Sequence, residues 1–468
     1  MMKLRSTLTC ENWRAIEPLK ISLYKQLKHC SKERYCFFEL FGWIGILLFI
    51  LLFFPDQGSG KMYIDINAPS IRKFQIAIPD FKELSVQKSH PDLSENLAAV
   101  ISNDLDLSGY FNPMNKDAFL GGKVAPSSNE AIAFKDWSVI GAELLLTGGY
   151  TCIGNSLQVE VRLFDIYSGR QLYGKRLLGD TKNYRYLMHR IGDEIIRTLT
   201  GHDSIFLTRL AFVSNDSGIK EVFTCDFDGY NLKQITEHGS ITILPEWSPG
   251  GDMIVYNSYK EGGTILYLHE LATGRVRPLS ARTGLNSGAS WSPSGKEIAL
   301  TLSHKGNPDI FLIDLKGNII KQVTDHWGID VSPAFSPDGD RIAFVSGRSG
   351  SPQIYTMDLI SGTQERLTFE GNYNASPSWS SLNRIAFVSM SQGIFDIYTM
   401  DADGGKLRRL TENQGSNQDP CWSPNGRYIV FSSNRTGRYH LYIMTASGEN
   451  QRKITYMDGD QVSPSLVR

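Results

Sequence analysis

The chain carries almost no net charge. Lys and Arg total 48 against 49 Asp and Glu in 468 residues, a formal charge of −1, so no basic field is available to hold nucleic acid. Cysteine is scarce, with six residues and no C-x-x-C pair. Cys10, Cys30 and Cys36 precede the first hydrophobic run, and Cys152, Cys225 and Cys421 lie far apart behind it. This pattern is neither a disulfide framework nor a zinc site, and the last three read as small buried thiols. Catalytic signatures are missing too. There is no G-x-S-x-G elbow and no H-E-x-x-H pair, and the nine histidines form no metal-spaced cluster. GSGK at Gly58–Lys61 is not a phosphate loop: Pro55 replaces the first glycine, Met62 replaces the Ser/Thr, and no strand precedes it.

Long apolar runs are also lacking. The uncharged core of the first apolar run, Leu40 to Phe54, has fifteen residues, short of the roughly 20 of a comfortable membrane helix but in the range of a signal-peptide core. Ahead of it, residues 1–36 carry eight Lys/Arg against three acids. Small residues follow at Gly58, Ser59 and Gly60. Two readings stand: a signal peptide cut after about Gly60, or an uncleaved inner-membrane anchor. Either keeps the basic side in the cytoplasm and exports the chain after residue 60. Cys36 precedes the apolar run, which rules out a lipobox.

The exported part divides in two. Over about 61–204, strand-like and helix-like segments alternate, which indicates a small α/β domain behind a mobile N-terminal tail. FQIAIPDF (Phe74–Phe81) reads as a buried strand ended by Pro79. Leu93, Leu97, Val100, Ile101 and Leu105 recur at helical spacing, with Gly109 as a stop. AELLLTGGY reads as a strand ending at its glycine pair. The alternating segments around Tyr167-Ser168-Gly169 signal a hairpin, and NYRYLMHRIGDEIIRTLTG an amphipathic helix closed by Gly201.

Over 205–468 the sequence repeats itself. Apolar triplets begin at Leu210, Ile254, Ile298, Ile342, Ile385 and Ile429, in steps of 44, 44, 44, 43 and 44 residues. Segments such as DIFLID, QIYTMD and DIYTMD recur in phase, and each unit ends in a short phrase such as QVT or RLT. A four-stranded unit of about 44 residues is a propeller blade. Trp247, Trp291, Phe335, Trp379 and Trp422 open five units, and one further step lands on Leu466. The C-terminal strand is therefore expected to complete the first blade, making an all-β ring of six blades without open sheet edges. The WSP phrases have a structural role: an apolar anchor, then a turn set by Pro and by Gly at positive φ. DFDG at Asp226 and DADG at Asp401 are hairpin turns and lack the remaining ligands of a calcium loop.

Five residues before each anchor stand Thr242, Asn286, Asp330, Asn374, Asn417 and Gln461, all polar. The loops before the innermost strands gather at one mouth of the channel, so these six are expected to form a polar docking ring.

An exported leader, a small α/β domain and a six-bladed propeller with YIDIN…FQIAIPDF, LSGYFNPM (Leu107–Met114), RLAFVS at Arg209 and a terminal PSLVR together resemble the TolB family of the Tol-Pal system. The resemblance covers about residues 61–468. It implies a monomeric, non-enzymatic periplasmic scaffold without cofactor or metal. A Pal-type peptidoglycan-associated lipoprotein would dock around Asn286, Asp330 and Asn374. A TolA-type inner-membrane protein would take the tail that begins Lys61, Met62, Tyr63, Ile64, Asp65, Ile66. The role implied is envelope integrity and constriction at division. Leu285 and Ser332 depart from the histidine and acidic residue familiar at those loop positions. The alternative from another class is an exported propeller hydrolase or lyase acting on a peptide or polysaccharide, whose mark would be a pair of acids facing the channel.

Overall fold

The computed structural model describes residues 72–85, 90–120 and 132–468. The leader (1–60) and the tail residues Lys61–Ile66 lie outside the described residues. Among those described, no helix is long and apolar enough to cross a membrane.

The α/β part is one mixed sheet with helices. Strand β1 (Phe74–Ala77) stops before Pro79, and β2 (Lys82–Glu83) follows. Helix α1 (Leu93–Leu107) buries Leu93, Leu97, Val100, Ile101 and Leu105 along one face. Next come β3 (Phe111–Pro113), a short α2 (Phe134–Val139), then β4 (Leu144–Ile153), β5 (Ser156–Asp165) and β6 (Gln171–Asp180). The sheet order is β3-β1-β4-β5-β6, with β2 also paired to β4. Pairing is parallel between β1 and its neighbours and antiparallel through the β4–β5–β6 meander. Helix α3 (Tyr184–Thr200) buries Leu187, Met188, Ile191, Ile195, Ile196 and Leu199, packs on α1, and ends at left-handed Gly201.

One expectation fails here. Strand β4 does not end at the glycine pair but runs through Gly148 and Gly149 to Ile153. A Cβ on Gly148 would sit 2.3 Å from the buried Phe81 ring. The glycine is there to let an aromatic ring lie on the strand, not to turn the chain.

From Arg209 onward the chain forms six sheets of four strands. Blade two, for example, comprises Thr242–Trp247, Met253–Ser258, Ile265–Glu270 and Arg275–Ser280, all antiparallel. Blade one takes its innermost strand from Gln461–Val467, which pairs with Arg209–Ser214 so that Leu466 faces Leu210. The C-terminal strand thus closes the ring as the repeat spacing implies. The first residue of every apolar triplet, Leu210 through Ile429, is completely buried. Each such side chain contributes about 1.5–3 kcal/mol of burial. The anchors pack between blades: Trp247 meets Ala211, Val222 and Val467 of blade one as well as Ile254 and Tyr256 of its own blade.

The α/β part sits on the propeller end that carries the turns after the first and third strands. Tyr428 donates from its hydroxyl to the Ser108 carbonyl at 2.9 Å, and Asn450 donates to the carbonyls of Asp106 and Leu107. Arg452 pairs with Asp106 at 2.6 Å, and Arg468 reaches Asp193 at 3.2 Å.

Candidate docking surface

At the opposite end of the channel the six polar residues stand as the spacing places them, at the first position of each innermost strand. Their role differs from the expected one. Thr242, Asn286, Asp330, Asn374, Asn417 and Gln461 are at most 1% exposed, so they are not a contact ring. The side chains of Asn286, Asn374, Asn417 and Gln461 tie their blades to the one before. The Asn374 amide donates to Gln353 at 2.9 Å, and Gln353 also accepts from Thr368 at 2.7 Å. Asp396 accepts from Thr411 and from Asn417 in the next blade. Gln461 accepts from Thr455, and His440 Nδ1 lies 2.6 Å from its carbonyl oxygen. Asn286 donates to the carbonyls of Thr264, Arg282 and Gly284 and accepts from Ser280. Asp330 accepts from Arg348 at 2.8 Å, and that guanidinium lies over the rings of Phe344 and Tyr355. Buried polar groups need partners; a joint between blades supplies them for four of the six, while Asp330 bonds Arg348 within its own blade.

Large apolar side chains reach solvent at this mouth, among exposed polar ones such as Glu237, Asp325, Glu370 and Glu412. The loops entering the innermost strands expose Ile241, Trp327, Ile329, Phe369, Tyr373 and Tyr456, with Trp327 76% and Phe369 72% exposed. Large aromatic side chains left bare beside a rigid wall have the composition of an interface core. Repeat alignment missed them because they lie outside the repeating strands. The available signal was local: DHWGID puts a tryptophan in a turn-rich loop, three residues before Asp330.

Below the mouth, the channel narrows to a cavity of about 320 Å³ lined by the middle residues of the innermost strands. Each of these strands carries a register shift, and its third residue takes positive φ: Leu244, Gly288, Ser332, Ser376, Asp419 and Ser463. A bulge of this kind bends the strand and re-aims side chains into the channel. Proline follows at Pro245, Pro333, Pro377, Pro420 and Pro464, tolerable because the innermost strand is an edge of its sheet. Ser332 is therefore a channel-wall residue.

Two carboxyl groups line this cavity. Burial pushes Glu246 up to about 7, with a hydrogen bond from Ser465 opposing the shift. Burial also raises Asp419, which accepts from the Ser463 backbone N–H at 3.1 Å and from its hydroxyl. Cys421, on the same strand as Asp419, also lines the wall, its thiol pushed up by burial. A protonated thiol and an internally bonded aspartate are poor nucleophiles.

Comparison with known proteins decides the family. The pattern described as the TolB beta propeller domain matches residues 196–465, more than half of the chain, and that of the TolB amino-terminal domain matches residues 62–172. The chain belongs to the TolB family. The Tol-Pal system protein TolB of Desulfosudis oleivorans is 41% identical over 225 residues, 48% of this chain and 51% of that protein. The TolB of Syntrophus aciditrophicus is 38% identical over 211 residues, 43% of this chain and 46% of that protein. The match spans about half the length of these curated relatives. In three dimensions, the crystal structure of TolB from Acinetobacter baumannii agrees with a TM-score of 0.75 at 28% identity, over 85% of this chain and 97% of that one. The TolB-type architecture thus extends over both the α/β part and the ring.

Proposed function

We propose that the protein is a non-enzymatic periplasmic scaffold of the Tol-Pal system. Its channel mouth docks a Pal-type peptidoglycan-associated lipoprotein, and its tail from Lys61 to Ile66 engages a TolA-type inner-membrane protein, in support of envelope integrity and constriction. Family membership supports the system. The observation that carries the docking face is the exposed set of Trp327, Ile329, Phe369 and Tyr373 on a rigid ring, at the end away from the α/β part. A preformed surface binds with little ordering cost. The six buried polar residues would act indirectly, by holding these loops in place.

The test is affinity capture from solubilised envelope with the exported protein as bait, followed by mass spectrometry. A peptidoglycan-binding lipoprotein should be retained, and the double variant Trp327→Ala, Phe369→Ala should weaken its binding about 30-fold or more, equivalent to about 2 kcal/mol. Retention of no envelope lipoprotein would overturn the reading. The hydrolase or lyase alternative draws on Glu246 and Asp419 in the channel, and requires turnover of a peptide or polysaccharide that Glu246→Gln abolishes.

A further inference from the structure

Between the α/β part and blade one lies a buried cluster of charge that the docking reading does not use. His189 on α3 is buried, and its Nδ1 lies 2.8 Å from Asp104 Oδ2 on α1. Its Nε2 faces Asp228 Oδ2 of the propeller at 3.6 Å and has no other partner. Arg185, one turn earlier on α3, pairs with the same Asp228 carboxylate and lays its guanidinium 3.4 Å from the centre of the Tyr230 ring. Asp226 is the remaining acid of that turn and accepts from Asn231. The surroundings are otherwise apolar: Phe227 stands edge-on to the imidazole at 5.0 Å, with Phe206 against it.

The turn is held firmly in place. A Cβ on Gly229, at φ +86°, would meet the Ile454 carbonyl at 2.0 Å. Asp228 is therefore presented to α3 at a fixed position. Asp104, His189 and Asp228 are metal-ligand residue types within 4.8 Å of one another. Here, though, Asp104 occupies one imidazole nitrogen and the Arg185 guanidinium already neutralises Asp228, so the trio reads as an ion-pair network. A neutral imidazole has one N–H and can donate to only one of the two carboxylates; the imidazolium donates towards both.

We propose that His189 is a charge-conditional clasp between the two parts of the molecule. As imidazolium it bridges Asp104 of α1 and Asp228 of blade one, and loss of its proton loosens the blade-one turn from α3. Burial opposes the charge, but Asp104, and then Asp228, outweigh burial and the repulsion of Arg185, and hold His189 above its usual value. Burial raises Asp104 to about 6. Both shifts have one sign: the folded seam holds its protons more tightly than the unfolded chain, so its stability falls as pH rises. The histidine contribution is full below about pH 6.5, the ordinary imidazole value, and is lost as pH passes through the raised value.

The experiment follows the exported protein by NMR of labelled histidine and by hydrogen exchange at residues 226–231 from pH 6 to 9, corrected for the intrinsic pH dependence of exchange. His189 should titrate above 6.5, and protection at 226–231 should fall with the same midpoint, by up to about tenfold per pH unit. His189→Gln should flatten that dependence, and Asp228→Asn should lower the His189 midpoint. A His189 midpoint at or below 6.5 would overturn the clasp. So would protection that ignores the titration, or a His189→Gln protein with unchanged pH dependence. The wild-type titration decides even if a variant does not fold.

Discussion

The two ends of the propeller are made from the same repeat yet finished in opposite ways. At one end, turns such as 226–231 and 448–451 meet the α/β part through directional contacts, among them Tyr428 to Ser108 and Asn450 to the end of α1. At the other, the loops before the innermost strands leave Trp327 and Phe369 bare. Polar contacts of fixed geometry suit a permanent internal joint, because each partner is always present to satisfy the other. Exposed aromatic side chains suit an intermittent partner, because they leave no unsatisfied group when the partner departs. The repeat supplies the frame, and the residues outside the repeat decide what each end is for.

That contrast can be broken most strongly at the joints beneath the channel mouth. Asn286→Ala removes a buried amide that serves three carbonyls and accepts from Ser280. Thermal or denaturant unfolding should show a loss of about 3 kcal/mol, in contrast to Trp327→Ala, which should leave stability within about 0.5 kcal/mol of wild type. If both variants kept wild-type stability, the amide would be no joint. At the covered end, Tyr428→Phe deletes one buried hydroxyl and orphans the Ser108 carbonyl; a loss of about 1–2 kcal/mol is expected, with exchange quickening first around Ser108. An effect confined to a pH window belongs to the channel between the two ends. The folded-state Glu246 carboxyl lies near 7, above the ordinary value of about 4.3. The folded form therefore binds its proton more tightly, and this contribution to stability is lost as pH rises from about 4.3 through 7. Glu246→Gln should remove that slope and make the protein relatively more stable at pH 8 than at pH 5, as measured by melting temperature.

The ring was legible because its signal is translational. Six apolar triplets in near-constant steps fix blade number, and the same step carried to Leu466 identifies the closing strand. The longer α/β elements were legible from periodicity, save the end of β4, where Gly148 serves Phe81, a residue remote in sequence; the short β2, β3 and α2 carry too few residues to show a period. Site residues were harder to read. Aligned position found Asn286 and its five counterparts but not their burial, because a polar residue at a strand's first position looks the same whether it faces water or a neighbouring blade. His189, Asp104 and Asp228 come from three separate segments, and no local pattern joins them. Asp228 was read only as part of a turn.

The closing strand carries a consequence for the order of events in the life of the chain. Gln461–Val467 is translated after every other propeller strand, yet it forms the innermost layer of the first blade. Until it arrives, Arg209–Ser214 has a bare edge and Trp247 lacks Val467 as a neighbour. Contacts between residues so distant in sequence form slowly, since a long loop must be closed before the pairing is rewarded. The ring therefore cannot become a rigid platform gradually, blade by blade. The last propeller strand in sequence is the one whose pairing turns an open arc into a closed body.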